Sequence, residues 1–204
     1  MKTIQYYFSP KSPWTYFGHH RLLSMAQRHG ADIEPKPTDL GRIFPLSGGL
    51  PLDKRAPQRQ AYRIQELKRW SQHLNLPLNI HPKFFPVDDT DASLMIAATI
   101  QAGNIKGALT ISGNVLRAVW AEDRNIADAD TLIQIANDSG LDGAALHAGR
   151  QAGADLYEQH TQEAAELQVF GAPWYIYKGE PFWGQVRLDL LQRALETRRP
   201  PFRP

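Results

Sequence analysis

The sequence predicts an α/β fold in which the two ends of the chain share one sheet and an all-helical segment is inserted between them. Three observations carry that expectation. Residues 3–37 read as strand, helix, strand; the stretch from Pro77 to Leu167 keeps a helical pattern; and short strands return only within residues 174–183, ahead of a closing helix. The order βαβ, helices, ββα assigns residues 1–40 and 165–204 to a discontinuous sheet domain and residues 41–164 to a helical insertion domain.

The opening strand, residues 3–8, stops at Ser9-Pro10-Lys11. Ser12 then takes the N-cap of a helix running toward His29, with Pro13 at the first helical position, where its missing N–H costs nothing. Trp14, Gly18, Leu22, Met25 and Ala26 fall on one face of that helix, the spacing of an amphipathic helix laid on a sheet, and Gly30 ends it. A second strand covers residues 31–37. Thr38-Asp39-Leu40 leads into a loop holding Pro45, Gly48, Gly49, Pro51 and Pro57, long enough to be functional or mobile. Residues 59–74 read as a helix with Ile64, Leu67, Ser71 and Leu74 inward and Arg55, Arg59, Arg63, Lys68 and Arg69 largely outward.

Asp88-Asp89-Thr90-Asp91 caps a helix over residues 92–102, and Asn104 starts another that aligns Ile105, Leu109, Leu116, Val119 and Trp120. Asp128-Ala129-Asp130 caps residues 131–137, Asp142 caps residues 143–148, and residues 155–167 make the last helix before the strands return. Residues 174–177 and 181–183 flank a hairpin turn at Lys178-Gly179-Glu180, and residues 187–197 close the chain as a helix.

Composition narrows the function classes. The chain has 204 residues and a formal net charge of only +2, with Lys and Arg scattered and Arg198, Arg199 and Arg203 in a proline-rich tail, so a nucleic-acid partner is not expected. No run approaches the roughly 18 consecutive apolar residues of a membrane span, and Met1-Lys2-Thr3-Ile4-Gln5-Tyr6-Tyr7 lacks a secretory apolar region. A cytoplasmic protein without a membrane partner is the expectation. The absence of cysteine removes disulfides, thiolate metal ligands and any Cys-x-x-Cys pair, so sulfur chemistry would need a sulfur from outside. The seven histidines include no His-Glu-x-x-His and no pair four residues apart, and Asp88, Asp89 and Asp91 lack the spacing of a calcium loop, so no metal is expected. There is no Gly-x-Ser-x-Gly elbow, no Ser-x-x-Lys and no phosphate-binding Gly-rich loop.

One constellation does carry chemistry. At a helix N-cap Ser12 has free backbone N–H groups and the positive end of the helix dipole beside it, which would stabilise an anion such as a thiolate. The matching half lies near the other end of the chain, at Val169-Phe170-Gly171-Ala172-Pro173-Trp174-Tyr175-Ile176-Tyr177, a turn with a proline leading into an apolar strand. Together they suggest a thioredoxin-like site without cysteine. Plainer readings stand beside this one: a serine at an N-cap is common, Pro173 alone fits a trans edge-strand proline, Phe182 and Trp183 fit either core or pocket wall, and Trp14 and Tyr16 read first as packing residues.

The chain resembles the 2-hydroxychromene-2-carboxylate isomerase family, which is related to kappa-class glutathione transferases and to DsbA. The resemblance rests on Ser12-Pro13-Trp14-Thr15-Tyr16, Leu67-Lys68-Arg69-Trp70, Leu141-Asp142-Gly143-Ala144, Val169-Phe170-Gly171-Ala172-Pro173, Phe182-Trp183-Gly184-Gln185 and Arg187-Leu188, in the family's order over nearly the whole chain. It implies a thioredoxin-like (DsbA/kappa-class) α/β fold with an inserted helical domain, a homodimer, and glutathione as cofactor. It further implies that Ser12 hydrogen-bonds the glutathione sulfur and keeps it a thiolate, and that Pro173 is cis. The Ala172 backbone would pair with the cysteinyl part as an added strand, and Trp183-Gly184-Gln185-Val186 would lie near the γ-glutamyl end. In the implied reaction the thiolate adds to a conjugated aromatic carboxylate, a bond rotates, and the sulfur leaves unchanged.

Two positions depart from the family pattern. Relatives commonly place an acid for the glutathione α-amino group where this chain has Val186; Asp189, Asp155 or an acid of a partner chain are the replacements considered. The lysine and asparagine that contact substrate in the loop after Leu40 are missing from Ile43-Phe44-Pro45-Leu46-Ser47-Gly48-Gly49, which leaves Arg42, Lys54 or Arg55 to hold an anion, with Trp14 against the substrate ring. The leading expectation is a glutathione-dependent isomerase; a kappa-class-like glutathione S-transferase and a non-catalytic thiol-binding or scaffold protein are the alternatives.

Overall fold

The computed structural model describes residues 2–203. β1 (Lys2–Phe8) is followed by α1 (Pro13–His29) and β2 (Ala31–Pro37), and β2 pairs with β1 in parallel, Lys2 against Ala31 through Phe8 against Pro37. β3 (Trp174–Tyr177) runs antiparallel to β1 on its other side, and β4 (Glu180–Trp183) pairs antiparallel with β3, giving the order β2-β1-β3-β4. The two prolines of β2, Pro35 and Pro37, are tolerated because this strand lies at the edge of the sheet. Between β2 and β3 lie only helical elements among the described residues: α2 (Leu40–Ile43), α3 (Pro57–Leu74), α4 (Thr90–Gln101), α5 (Ile105–Trp120), α6 (Ala129–Asp138), α7 (Gly143–Ala148) and α8 (Ala154–Glu166). α9 (Leu188–Thr197) closes the described chain.

Alternation along β1 divides the core. Ile4, Tyr6 and Phe8 point to one face, where they join α1, α4, α5 and α9 in one apolar cluster that includes Met95, Val115, Trp120 and Leu191. Tyr6 stacks on Phe8 at 4.5 Å and on Tyr175 at 5.6 Å between ring centroids. Tyr7 points to the other face and packs with Trp174, Ile176, Ile43, Ala164 and Val169. A sheet covered on both faces explains why β3 and the second half of β1 are continuously buried and aromatic-rich.

Local caps set most boundaries. Ser12 accepts from the Thr15 N–H, and Gly30 stops α1 in the left-handed conformation at φ 59° while its N–H returns to the α1 carbonyls. Asn104, Asp128 and Asp142 cap α5, α6 and α7 through their side chains. Three details differ from expectation. The segment after Asp39 is not open loop: it forms α2 and two 3₁₀ turns, at Phe44–Ser47 and Leu52–Lys54. α3 starts two residues early because Pro57 occupies its first turn. Asp89 sits at the N-cap of α4 without a side-chain capping bond, because its carboxylate is drawn to Ser9 and Lys11 instead.

Candidate active site

The register of the sheet builds the site. Tyr7 pairs with Trp174, so the turn leaving β1 at Ser9 and the Ala172-Pro173 turn entering β3 emerge at the same end of adjacent strands. The Ala172–Pro173 peptide bond is cis. Ala172 and Pro173 are both buried, and the Pro173 carbonyl accepts from the Gly184 N–H at 2.8 Å, tying the turn to the segment after β4.

Ser12 is 8% exposed, its N–H donates to the Ser9 carbonyl at 3.1 Å, and its Oγ accepts from the Thr15 N–H at 3.3 Å. Its hydroxyl proton has no acceptor among the described residues, so the group retains one donor at the positive end of a 17-residue helix. The turn before it is clamped from the helical segment. Lys11 Nζ lies 2.8 Å from an Asp89 oxygen and donates to the Val87 carbonyl at 3.0 Å, and Ser9 Oγ donates to the other Asp89 oxygen at 2.7 Å. The Trp120 indole N–H donates to the Lys11 carbonyl at 3.1 Å, and the Tyr16 hydroxyl to the Pro77 carbonyl at 2.7 Å. Three segments of the helical region thus hold the first turn of α1.

The other predicted positions fall into two groups. Trp183, 50% exposed, Gly184, half-buried, and Val186, 38% exposed, form a rim, while Gln185 is buried beneath them. The Arg21 guanidinium holds the carbonyl of Gln185 at 3.2 Å and its side-chain oxygen as well, leaving the Gln185 Nε2 buried without a partner. Trp14 is half-buried in the first turn of α1, 6.1 Å from the Phe17 ring. Arg42 and Lys54 are not brought to this group by any hydrogen bond or ion pair among the described residues. Arg42 makes a two-pronged pair with Glu158, with one arm at 2.8 Å, and that pairing raises its pKa; Lys54 is exposed beside Asp53 at 3.7 Å. Arg55 donates to the Leu50 carbonyl at 2.8 Å. Of the acids considered for the Val186 position, Asp189 lies 3.3 Å from Arg21, and Asp155 is exposed in the first turn of α8.

Two residues at the site carried no role in the sequence reading. Phe170, 40% exposed, stands edge-on to Trp174 at 4.7 Å and to Trp183 at 4.8 Å, so three aromatic rings wall the cis-proline turn. Its place three residues before Pro173 was the available signal. Arg63 was expected to point outward; it is half-buried instead, with its guanidinium over the rings of Phe85 and Trp120. The signal for Arg63 was the acid-free run between Asp53 and Glu66.

Comparison with known proteins finds relatives that match nearly the whole chain. A 2-hydroxychromene-2-carboxylate isomerase of Sphingobium xenophagum is 29% identical over 197 residues, covering 95% of this chain and 98% of that protein. Glutathione S-transferase kappa 1 of Homo sapiens is 19% identical over 206 residues, covering 95% and 91%. A solved structure of a 2-hydroxychromene-2-carboxylate isomerase superposes with a TM-score of 0.80 at 26% identity, covering 96% of this chain and 95% of that one. The family model for the DSBA-like thioredoxin domain matches residues 3–196. That match takes in both halves of the site and all the helices between them, and the chain belongs to the DSBA-like thioredoxin domain family.

Proposed function

We propose that this protein is an isomerase that uses glutathione as a thiol cofactor and acts on a conjugated aromatic carboxylate, as the names of its isomerase relatives suggest. The observation that carries the reading is the Ser12 hydroxyl, a donor with no acceptor among the described residues, at the N-terminus of α1 and on the same end of the sheet as the cis Ala172-Pro173 turn. A serine donor at this place orients a sulfur anion and forms no mixed disulfide, which favours reversible addition over redox exchange.

The residues present fit a glutathione-like ligand on two counts. The Ala172 N–H and carbonyl make no backbone hydrogen bond among the described residues, although they lie directly ahead of β3, so they are available to pair with an extended peptide. The buried Gln185 Nε2 has no partner among the described residues, and it lies next to Val186, where a γ-glutamyl group would lie. Bound there, glutathione would supply a thiolate that adds reversibly to a conjugated bond. Ser12 would hold that sulfur charged, Ala172 would fix its backbone, and Phe170, Trp174 and Trp183 would shield the turn from water.

The test is turnover of 2-hydroxychromene-2-carboxylate followed by absorbance at fixed glutathione. Activity is expected to require glutathione without consuming it, and Ser12→Ala to lower kcat by about a hundredfold or more, the usual effect of removing one donor to a developing anion. The folding cost of that substitution should be only ~1 kcal/mol, that of an N-cap. Full turnover in Ser12→Ala would remove the assigned role. Stoichiometric loss of glutathione would identify the reaction as transfer, the chemistry named for the kappa-class relative.

A further inference from the structure

Arg63 is a half-buried cation with an unusual set of neighbours. Its guanidinium carbon lies 5.6 Å from the Phe85 ring centre and 5.7 Å from that of Trp120, and the two rings pack 4.8 Å apart. No carboxylate pairs with it among the described residues: Glu66, the next acid along α3, is held by Arg69 at 2.6 Å. Lys54, Arg55, Arg59 and Arg63 follow one another with no acid between Asp53 and Glu66. Burial, and then the charge of Arg55, pull the Arg63 pKa down to about 10. The group is charged near neutrality, but its charge is disfavoured on both counts, and the opposite charge of a bound anion would offset them.

The guanidinium also lines a groove of about 370 Å³, with Gln60, Ile64, Ile80 and Phe85 among its walls. That volume falls at the small end of the ~300–1,000 Å³ of small-molecule sites. A side-chain contact links Arg63 to the proposed site: the Trp120 indole under its guanidinium donates to the carbonyl of Lys11, the residue before Ser12. Arg42 is committed to Glu158, which leaves Arg63 as the more available cation of the two.

We propose that Arg63 is the anion-recognising residue of a subsite for an aryl carboxylate, its guanidinium paired to the carboxylate and the ligand's ring laid against Phe85 and Ile80. The assignment rests on the isomerase reading above and specifies how that site selects its substrate class. It requires no covalent step. Planar, two-pronged recognition of a carboxylate is the geometry a guanidinium offers and an ammonium does not.

The test compares trans-cinnamate with its uncharged amide, cinnamamide, as probes without glutathione, using quenching of tryptophan fluorescence to read affinity. The wild-type protein is expected to bind cinnamate more tightly than cinnamamide. Arg63→Gln should weaken cinnamate about tenfold or more while binding cinnamamide like wild type, and Arg63→Lys should fall between. Equal cinnamate affinity in wild type and Arg63→Gln overturns the proposal, as does parallel loss of both probes, which would mark Arg63 as structural. Should Arg63→Gln fail to fold, the guanidinium N–H signal of wild-type Arg63, assigned by its absence from Arg63→Lys, must shift with cinnamate and not with cinnamamide; an unmoved signal overturns the proposal equally. The glutathione-induced shift in melting temperature, measured in the same proteins, separates the two readings. Its absence from wild type sinks the thiol cofactor, whereas its persistence beside an unaltered cinnamate affinity sinks only the Arg63 subsite.

Discussion

His160 on α8 and His19 on α1 are buried, and both have pKa values lowered to about 4. Burial is the main cause in each, reinforced by Lys36 near His160 and by His20 near His19, and opposed by Glu163 and by the Leu109 carbonyl. His19 bridges the Tyr6 hydroxyl and the Leu109 carbonyl as a neutral ring, whereas the His160 Nδ1 has no partner among the described residues. In the unfolded chain each would titrate near ~6.5, so between that pH and about 4 the unfolded state binds more protons than the folded one. Their contribution to stability is therefore complete above pH 6.5 and is lost as pH falls toward 4, with a slope approaching ~1.4 kcal/mol per pH unit for each ring. Urea midpoints measured from pH 7 to pH 5 are expected to fall, and His160→Gln should flatten that fall whatever it does to stability at pH 7. An identical slope in the variant would remove His160 from the account.

At the scale of elements, the approach of α1 to the sheet depends on Gly18. A methyl group there would sit 2.7 Å from the Tyr175 hydroxyl and 3.0 Å from the Gln185 Cβ, and both of those side chains are buried. Alanine favours helix by ~1 kcal/mol over glycine, yet Gly18→Ala is expected to destabilise by about 1–3 kcal/mol net, because neither neighbour has space to yield. Chemical denaturation gives the sign directly; a gain in stability would mean that α1 shifts freely on the sheet. Element boundaries set by local chemistry were legible in the chain. The Ser12 cap and the Gly30 stop delimit α1 using neighbours within a few residues, and the same holds for Asn104, Asp128 and Asp142. The cap of α4 is less local: the helix begins at Thr90, two residues ahead of expectation, and although Asp89 has the residue type of a cap, Lys11 and Ser9, about eighty positions earlier, claim its carboxylate. An ion pair between distant segments leaves no local pattern.

At the scale of the whole molecule, the proposed cofactor would bridge contacts that belong to both chain ends, so binding should stabilise the native state globally. Reduced glutathione at a hundred times its Kd is expected to add ~2.7 kcal/mol, or about 5–10 °C in Tm for a chain of this size, with a smaller shift for S-methylglutathione. Equal shifts for both ligands would show that the sulfur makes no contact with Ser12. The sequence by itself determined the class of fold, the order of its elements and the two halves of the candidate site, since caps, prolines and apolar periodicity act over a few residues. Only the tertiary structure decided that Tyr7 pairs with Trp174 and so puts the Ser12 and Pro173 turns at the same end of the sheet, that Asp89 and Trp120 clamp the turn before Ser12, and that Arg42 is paired with Glu158 while Arg63 lies over two aromatic rings with no acid paired to it among the described residues. Whether a charge is paired, buried or available depends on what the rest of the fold places against it, and helical spacing along α3 specifies the face on which Arg63 lies but not the partner it meets there.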